Sequence, residues 1–384
     1  MKQLRIPAVY MRGGTSKGVF FLGGDLPSDR QERERILLRT VGSPDPYGKQ
    51  IDGMGGGTSS TSKVVIVSRS SRPDCDVDYL FGAVSIEAPV IDWSGNCGNL
   101  SAAVGPYAIS AGLLAAPPEG MATVRIWQAN IGKRIIAHVP MRGGAVLESG
   151  TFQLDGVAFS GAEVVLEFLD PAGEIDEASA TFPTGREIDL LDIPGLGTIE
   201  ATLINAGNPT VFVDAAALGL QGTELEQEVN GRQALLELAE SVRARGAVAM
   251  GLAASAEEAT AKRPHTPKLA FVATPCAYTA SDGKRIEPQS IGLLARIFSM
   301  GRLHHAMTGT GAVAIASAAA IPGTIVHRIA PLGTDGIVRF GHPSGTLSAG
   351  AEAAHQEGRW TIRKVRVSRS ARRLMEGWVR VPNE

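Results

Sequence analysis

Residues Ala312 to Ala320 read AVAIASAAA, so a helix made from them is small-sided and apolar almost all round. Such a helix has no face to offer to water and must be buried, with sheet packed close on several sides. It follows a glycine-rich turn, MTGTG, over Met307 to Gly311. A second stretch has the same design: NCGNLSAAVG, from Asn96 to Gly105. After Asn99, apolar residues fall at Leu100, Ala103, Val104, Tyr107, Ala108 and Ala111, which is helical spacing. Pro106 falls inside that pattern and is expected to kink or end the helix. Two buried helices in one chain each demand a sheet of their own.

Short β-branched runs supply those sheets. VVIVS, VRIW, RIIAHV, EVVLEFL, TVFV, KLAFV, TIVHRI and TIRKVRV are bounded by Gly, Pro, Asp and Asn and read as strands. Further helical patterns are few: Gln31 to Val41, and one from Glu224 that is broken near Asn230-Gly231. An α+β chain with mixed sheets follows. Its halves share a grammar. VYMRGGTSKGVFF and TLINAGNPTVFV each read as strand, glycine turn, strand; TSSTSKVVIV and RPHTPKLAFV each place one lysine, Lys63 or Lys268, before an apolar strand. The two glycine-led helices come third in each half. We therefore expect two related domains. One covers residues 1–184 and carries Lys63 and Cys97, with a C-terminal strand over about 374–384 packing back on it. The other covers 185–373 and carries the helix start at Thr308.

The chain has 384 residues, 44% apolar and 20% charged, with a formal net charge of −2. That balance predicts a packed core, and without a long Lys/Arg run it argues against a nucleic-acid partner. The three cysteines, Cys75, Cys97 and Cys276, are far apart and form no CxxC pair, so neither a disulfide framework nor a zinc site is expected, and a reducing cytoplasm fits best. No apolar stretch reads as a signal peptide or a membrane span, since the longest ones are broken by Ser, Gly or Pro.

Chemistry concentrates at the glycine turns. The first N–H groups of a helix lack intrahelical partners and, with the helix dipole, favour an anion. Cys97 sits at such a start, where a thiol ionises more easily; the plain alternative is a small core residue. Its neighbours Asn96, Gly98 and Asn99 are not core-like. Lys63 ends GMGGGTSSTSK, a loop rich enough in Gly, Ser and Thr to bring backbone amides near a ligand. A lysine drawn into an apolar site loses its charge more easily and can take a proton; the plain alternative is a strand-edge lysine. Neither RGGTSKG nor GGGTSSTSK fits the G-x-x-x-x-G-K-[ST] phosphate loop. His304-His305 lacks metal spacing and reads as core, as solvated, or as facing a carboxylate near the second helix start. GHPSGT, with Ser344, is a polar glycine turn or a plain hairpin.

Together these motifs resemble the PrpF family of 2-methylaconitate cis-trans isomerases. The matching stretches include MRGGTSKGVFF, GSPDPYGKQIDGMGGGTSSTSK, DWSGNCGNLSAAVG, INAGNPT, HTPKLAFVA, FGHPSGTL and SRSARRLMEGWVRVP, and they extend over almost the whole chain. The resemblance implies the diaminopimelate epimerase-like fold, two pseudo-symmetric α+β domains each wrapping a central helix, with the site in the cleft between them. It implies Lys63 as catalytic lysine and Cys97 as active-site cysteine. Two-base epimerases of this fold carry a cysteine at both helix starts; here the second place is Thr308, which is no base near neutral pH.

The expected reaction is therefore isomerisation of an unsaturated acid without metal or organic cofactor. A di- or tricarboxylate is held by N–H groups near Gly98, Asn99, Gly309 and Thr310, by Thr15, Ser16, Ser60, Asn96, Thr308 and Ser344, and by Lys17 and Lys268 as charge partners. Lys63 removes an allylic or γ proton, the charge spreads as an extended enolate, and the former double bond rotates before Lys63 or Cys97 returns the proton. Alternatives within the family are a 4-oxalomesaconate tautomerase and a methylitaconate Δ-isomerase. An alternative of another class is a non-catalytic accessory of an aconitase-like dehydratase. A homodimer and a functional link to such a dehydratase complete the expectation.

Overall fold

The computed structural model describes residues 3–172 and 181–382. The chain divides into two compact units, Met1–Leu166 with Ser368–Glu384, and Glu167–Val367.

The first unit opens with a hairpin, Leu4–Gly13 and Ser16–Leu22, closed by Gly13 opposite Ser16. The chain then crosses over and lays Lys63–Arg69 parallel to the second hairpin strand, Val19 opposite Val64. The crossover carries the helix Arg30–Val41. Asp29 caps it by accepting from the Glu32 N–H, and Gly42 ends it in the left-handed region. Val77–Val84 pairs antiparallel with Lys63–Arg69 and parallel with Gly120–Gln128, which turns back antiparallel as Lys133–Arg142. The last part of the strand Arg359–Val381 closes the unit against Leu4–Gly13, with Leu4 opposite Val381.

The second unit repeats that series. Gly197–Ala206 and Asn208–Asp214 form the hairpin. Lys268–Ala273 runs parallel to Asn208–Asp214 after a crossover through the helices Glu226–Asn230, Gln233–Ala249 and Ala256–Lys262. Leu293–Ser299 pairs antiparallel with Lys268–Ala273 and parallel with Ile337–His342, which turns back antiparallel as Gly345–Gln356. Each series therefore alternates antiparallel, parallel, antiparallel, parallel, antiparallel, and a lysine opens its third strand.

Between the last two parallel strands of each series comes the central helix, Ser101–Ser110 in the first unit and Gly309–Ala319 in the second. Every residue of Gly309–Ala319 is buried, as is every residue of the first helix from Ser101 to Ala108. Small side chains permit this. A Cβ on Gly105 would lie 2.8 Å from Val139 Cγ2, so the helix backbone rests directly on the strand Lys133–Arg142. The first helix runs through Pro106 to Ser110. The proline removes one N–H from the ladder, a cost the surrounding packing outweighs. No helix among the described residues is long and apolar enough to cross a membrane.

Candidate active site

Parallel pairing of Ser16–Leu22 with Lys63–Arg69 puts the first residues of both strands side by side. Lys63 is buried, and its Nζ lies 2.9 Å from Ser16 Oγ and 3.4 Å from Cys97 Sγ. The face of the Phe81 ring lies 5.9 Å away. A lysine between a hydroxyl, a thiol and an aromatic ring, with most water excluded, is placed to exchange a proton with a bound molecule. Cys97 is itself buried, one turn ahead of the helix: its carbonyl accepts from the Ser101 N–H at 2.9 Å and from Ser101 Oγ at 3.1 Å. Tyr79 Oη donates to the same carbonyl at 3.3 Å. Burial, and then the neighbouring Cys97, push the Tyr79 hydroxyl well above the ordinary phenol range, so it stays a donor.

The other candidates of the first unit gather unevenly. Asn99 Nδ2 donates to Thr15 Oγ1 at 2.9 Å and, longer, to Ser16 Oγ at 3.5 Å. Asn96 is buried and accepts from Ser101 Oγ at 3.4 Å, and Gly98 lies in the turn between Cys97 and the helix. Ser60 accepts the Lys17 N–H through its carbonyl and pairs its hydroxyl with Thr58 Oγ1 at 2.9 Å. Lys17 does not join the group. It follows Ser16 on the strand, so its side chain leaves from the opposite face. Its ammonium lies over Tyr10, 5.4 Å from the ring centroid.

In the second unit Thr308 is the N-cap of its helix, its hydroxyl accepting from the Gly311 N–H at 3.0 Å. Gly309 and Thr310 form the first turn, and Thr310 Oγ1 accepts from Asn208 Nδ2 at 3.2 Å. Lys268 is buried, with Nζ 3.1 Å from both His265 Nδ1 and Ser299 Oγ. Ser344 Oγ donates to the His305 carbonyl at 2.5 Å, which ties GHPSGT to the approach of the helix. His304 and His305 stack with ring centroids 4.6 Å apart, and His304 Nδ1 accepts from the Ala306 N–H.

Among the described residues no group of three or more His, Cys, Asp or Glu side chains is placed to hold a metal ion. A groove of about 440 Å³ on the first unit is lined by Tyr107, Ala111 and Trp378 at the far end of the central helix and includes none of the candidates. One residue of the Lys63 group escaped the sequence reading. Arg369, within SRSARR, is 1% exposed, and its Nε donates to Asn99 Oδ1 at 3.1 Å. Strand alternation carried the signal: Val365, Val367, Arg369 and Ala371 share the buried face.

Residues 3–382 match the model of the PrpF protein family. A 2-methyl-aconitate isomerase of Cupriavidus necator is 59% identical over 100% of this chain and 98% of its own length. A solved methylitaconate-delta-isomerase superposes with a TM-score of 0.76 at 39% identity, covering 99% of this chain and 96% of that one. A hydroxyproline epimerase from Agrobacterium vitis shares the fold, with a TM-score of 0.56 at 13% identity over 98% of this chain and 92% of that one. Across its described length this chain has the diaminopimelate epimerase-like fold and belongs to the PrpF family.

Proposed function

We propose that this protein is a cofactor-independent isomerase acting on 2-methylaconitate, and that Lys63 moves the proton. The observation that carries the reading is the buried contact of Lys63 Nζ with Ser16 Oγ and Cys97 Sγ. In its unprotonated form the lysine takes an allylic proton from the bound acid. The electron pair left on carbon conjugates with the double bond and an adjacent carboxylate, giving an extended enolate stabilised by fixed donors. Loss of double-bond character allows rotation, and the proton returns to the same terminal carbon to give the other isomer. Nothing is oxidised or reduced. The name of the 59% identical relative favours 2-methylaconitate over the methylitaconate and oxalomesaconate alternatives.

The remaining candidates act as binding groups in this reading. In the first unit Thr15, Ser16 and Asn99 present hydroxyl and amide donors of the kind a polycarboxylate needs; in the second, the first helical turn at Gly309 and Thr310 presents backbone donors of its own. A cytoplasmic location suits a chain whose Cys75, Cys97 and Cys276 form no disulfide. A homodimer, and a functional link with an aconitase-like dehydratase, are proposed on the family resemblance alone.

The test is proton NMR of the purified protein with 2-methylaconitate in deuterated water. Conversion of one geometric isomer into the other, with deuterium entering the allylic methyl or methylene position, is expected. Turnover by the purified chain alone rules out a purely accessory role. Conversion only of methylitaconate or oxalomesaconate would move the assignment to those substrates. Isomerisation with full retention of protium would count against a base that exchanges with solvent.

A further inference from the structure

Arg369 is a buried cation without a counter-charge. Nη1 donates to the Ser368 carbonyl at 3.0 Å and Nε to Asn99 Oδ1 at 3.1 Å, while Nη2 is buried with no hydrogen-bond partner. Among the described residues no carboxylate pairs with it. Burial pushes the guanidinium down to about 10, and the nearby Cys97 offsets that only in part. Keeping such a group costs stability, so its place calls for a role beyond packing.

The fold does not require it. In the first unit the hairpin turn is anchored by the Gly14 N–H on the Ser370 carbonyl, at 2.9 Å. In the second unit the Gly207 N–H makes the same bond to the Pro171 carbonyl, at 3.1 Å. The residue before the acceptor is Arg369 in one and Asp170 in the other, so backbone alone makes the anchor. Gly14, at φ +52°, also leaves room for the arginine pair. A Cβ there would lie 2.6 Å from Asn99 Oδ1 and 3.1 Å from Arg369 Cδ.

A guanidinium donates and never accepts. It therefore holds the Asn99 oxygen toward itself and turns Nδ2 toward Thr15 and Ser16. Ser16 Oγ then receives a hydrogen from Asn99 on one lone pair and from Lys63 on the other. Its own hydrogen is left to point at an anion. Were Asn99 free to turn over, its oxygen would compete for that hydrogen.

We propose that Arg369 is a positioning residue of the isomerase site: through Asn99 it commits Ser16 to donate its hydroxyl hydrogen to the anionic substrate and its enolate. This rests on the reading of Lys63 and its surroundings as a polycarboxylate site. The effect is electrostatic preorganisation set from behind the residue that makes the contact.

A double-mutant cycle between Arg369→Met and Ser16→Ala tests it. The readouts are kcat/KM and the inhibition constant of trans-aconitate, a planar tricarboxylate, with Tm on every variant. Each single change should weaken trans-aconitate about tenfold, the worth of one charge-assisted hydrogen bond. The double variant should lose little more than either single one, because both act through one hydroxyl. Losses that multiply, or an Arg369→Met variant that binds like the native protein, would overturn the proposal. Should Arg369→Met not fold, the cycle is run on Asn99→Asp. There a new ion pair to Arg369 keeps the fold while the carboxylate draws the Ser16 hydrogen to itself, and the same non-additivity decides. The two readings fail separately: a Lys63→Ala variant that still turns over would remove the base assignment and leave the Arg369 result standing.

Discussion

The two lysines that open corresponding strands have different company. Lys63 faces Ser16 and Cys97; Lys268 faces His265 and Ser299. The ladders explain the difference. Lys63 stands opposite Ala83, whose side chain offers no polar atom. In the second unit Ala270 stands opposite Ile297, and continuing that register by two residues puts Ser299 opposite Lys268. Lys268 is thus held by its own sheet, whereas Lys63 is held by the neighbouring strand and by the residue leading into the central helix. The helix starts differ in the same sense. Cys97 brings a thiol to Lys63, while Thr308 spends its hydroxyl on capping. One architecture, used twice, surrounds its lysine with a hydroxyl and a thiol in one copy and with an imidazole and a hydroxyl in the other.

The contrast is broken or sharpened most strongly at Lys63. Lys63→Ala should lower kcat by ~10²–10⁴-fold, the range of general-base catalysis, with an unchanged circular-dichroism spectrum. Lys63→Arg should not restore it, because a guanidinium stays protonated. Near-native turnover in either variant would erase the distinction between the lysines.

Cys97→Ser should cost less than Lys63→Ala, since one base can serve both faces of a single terminal carbon and the second helix start already lacks a thiol. Iodoacetamide should still inactivate the native protein, and substrate should protect. Equal kcat losses in the two variants would make the thiol a full partner in proton transfer.

Lys268→Met should lose less turnover than Lys63→Ala and more stability. It leaves His265 and Ser299 without their shared partner, at roughly 1–3 kcal/mol in a denaturant titration. The opposite ranking would move the chemistry to the second unit. Thr308→Ala removes a helix cap and should cost about 1 kcal/mol of stability by the same titration.

The smallest effect concerns pH. Tyr79 is an acid whose folded-state pKa is raised by burial. As pH climbs past about 10 the unfolded chain gives up this proton while the folded chain keeps it, so stability falls. In Tyr79→Phe the alkaline slope of the melting temperature should be shallower. Unchanged slopes would place the alkaline sensitivity elsewhere. Extending the two registers from the lysines puts Ala295 at the corresponding place in the second unit, with nothing to titrate.

The sequence by itself determined the two central helices, because a run such as AVAIASAAA has only one kind of stable surrounding. It determined most strands, through β-branched runs between turn residues, and the duplicated order of hairpin, lysine and glycine-led helix. It also singled out Lys63 and Cys97, whose side chains meet in the fold, since one opens a strand and the other leads into a helix and local pattern reveals both. Tertiary structure alone decided which polar groups meet. Lys17 looked like a site residue but turns to Tyr10, because successive residues of a strand face opposite ways. Arg369, which the sequence reading did not single out, is buried against Asn99, 270 residues away in the chain. Periodicity is a local property and says which face of an element is apolar. Which distant strand covers that face, and which side chain it brings to a lysine, depends on pairings between remote segments that no local pattern encodes.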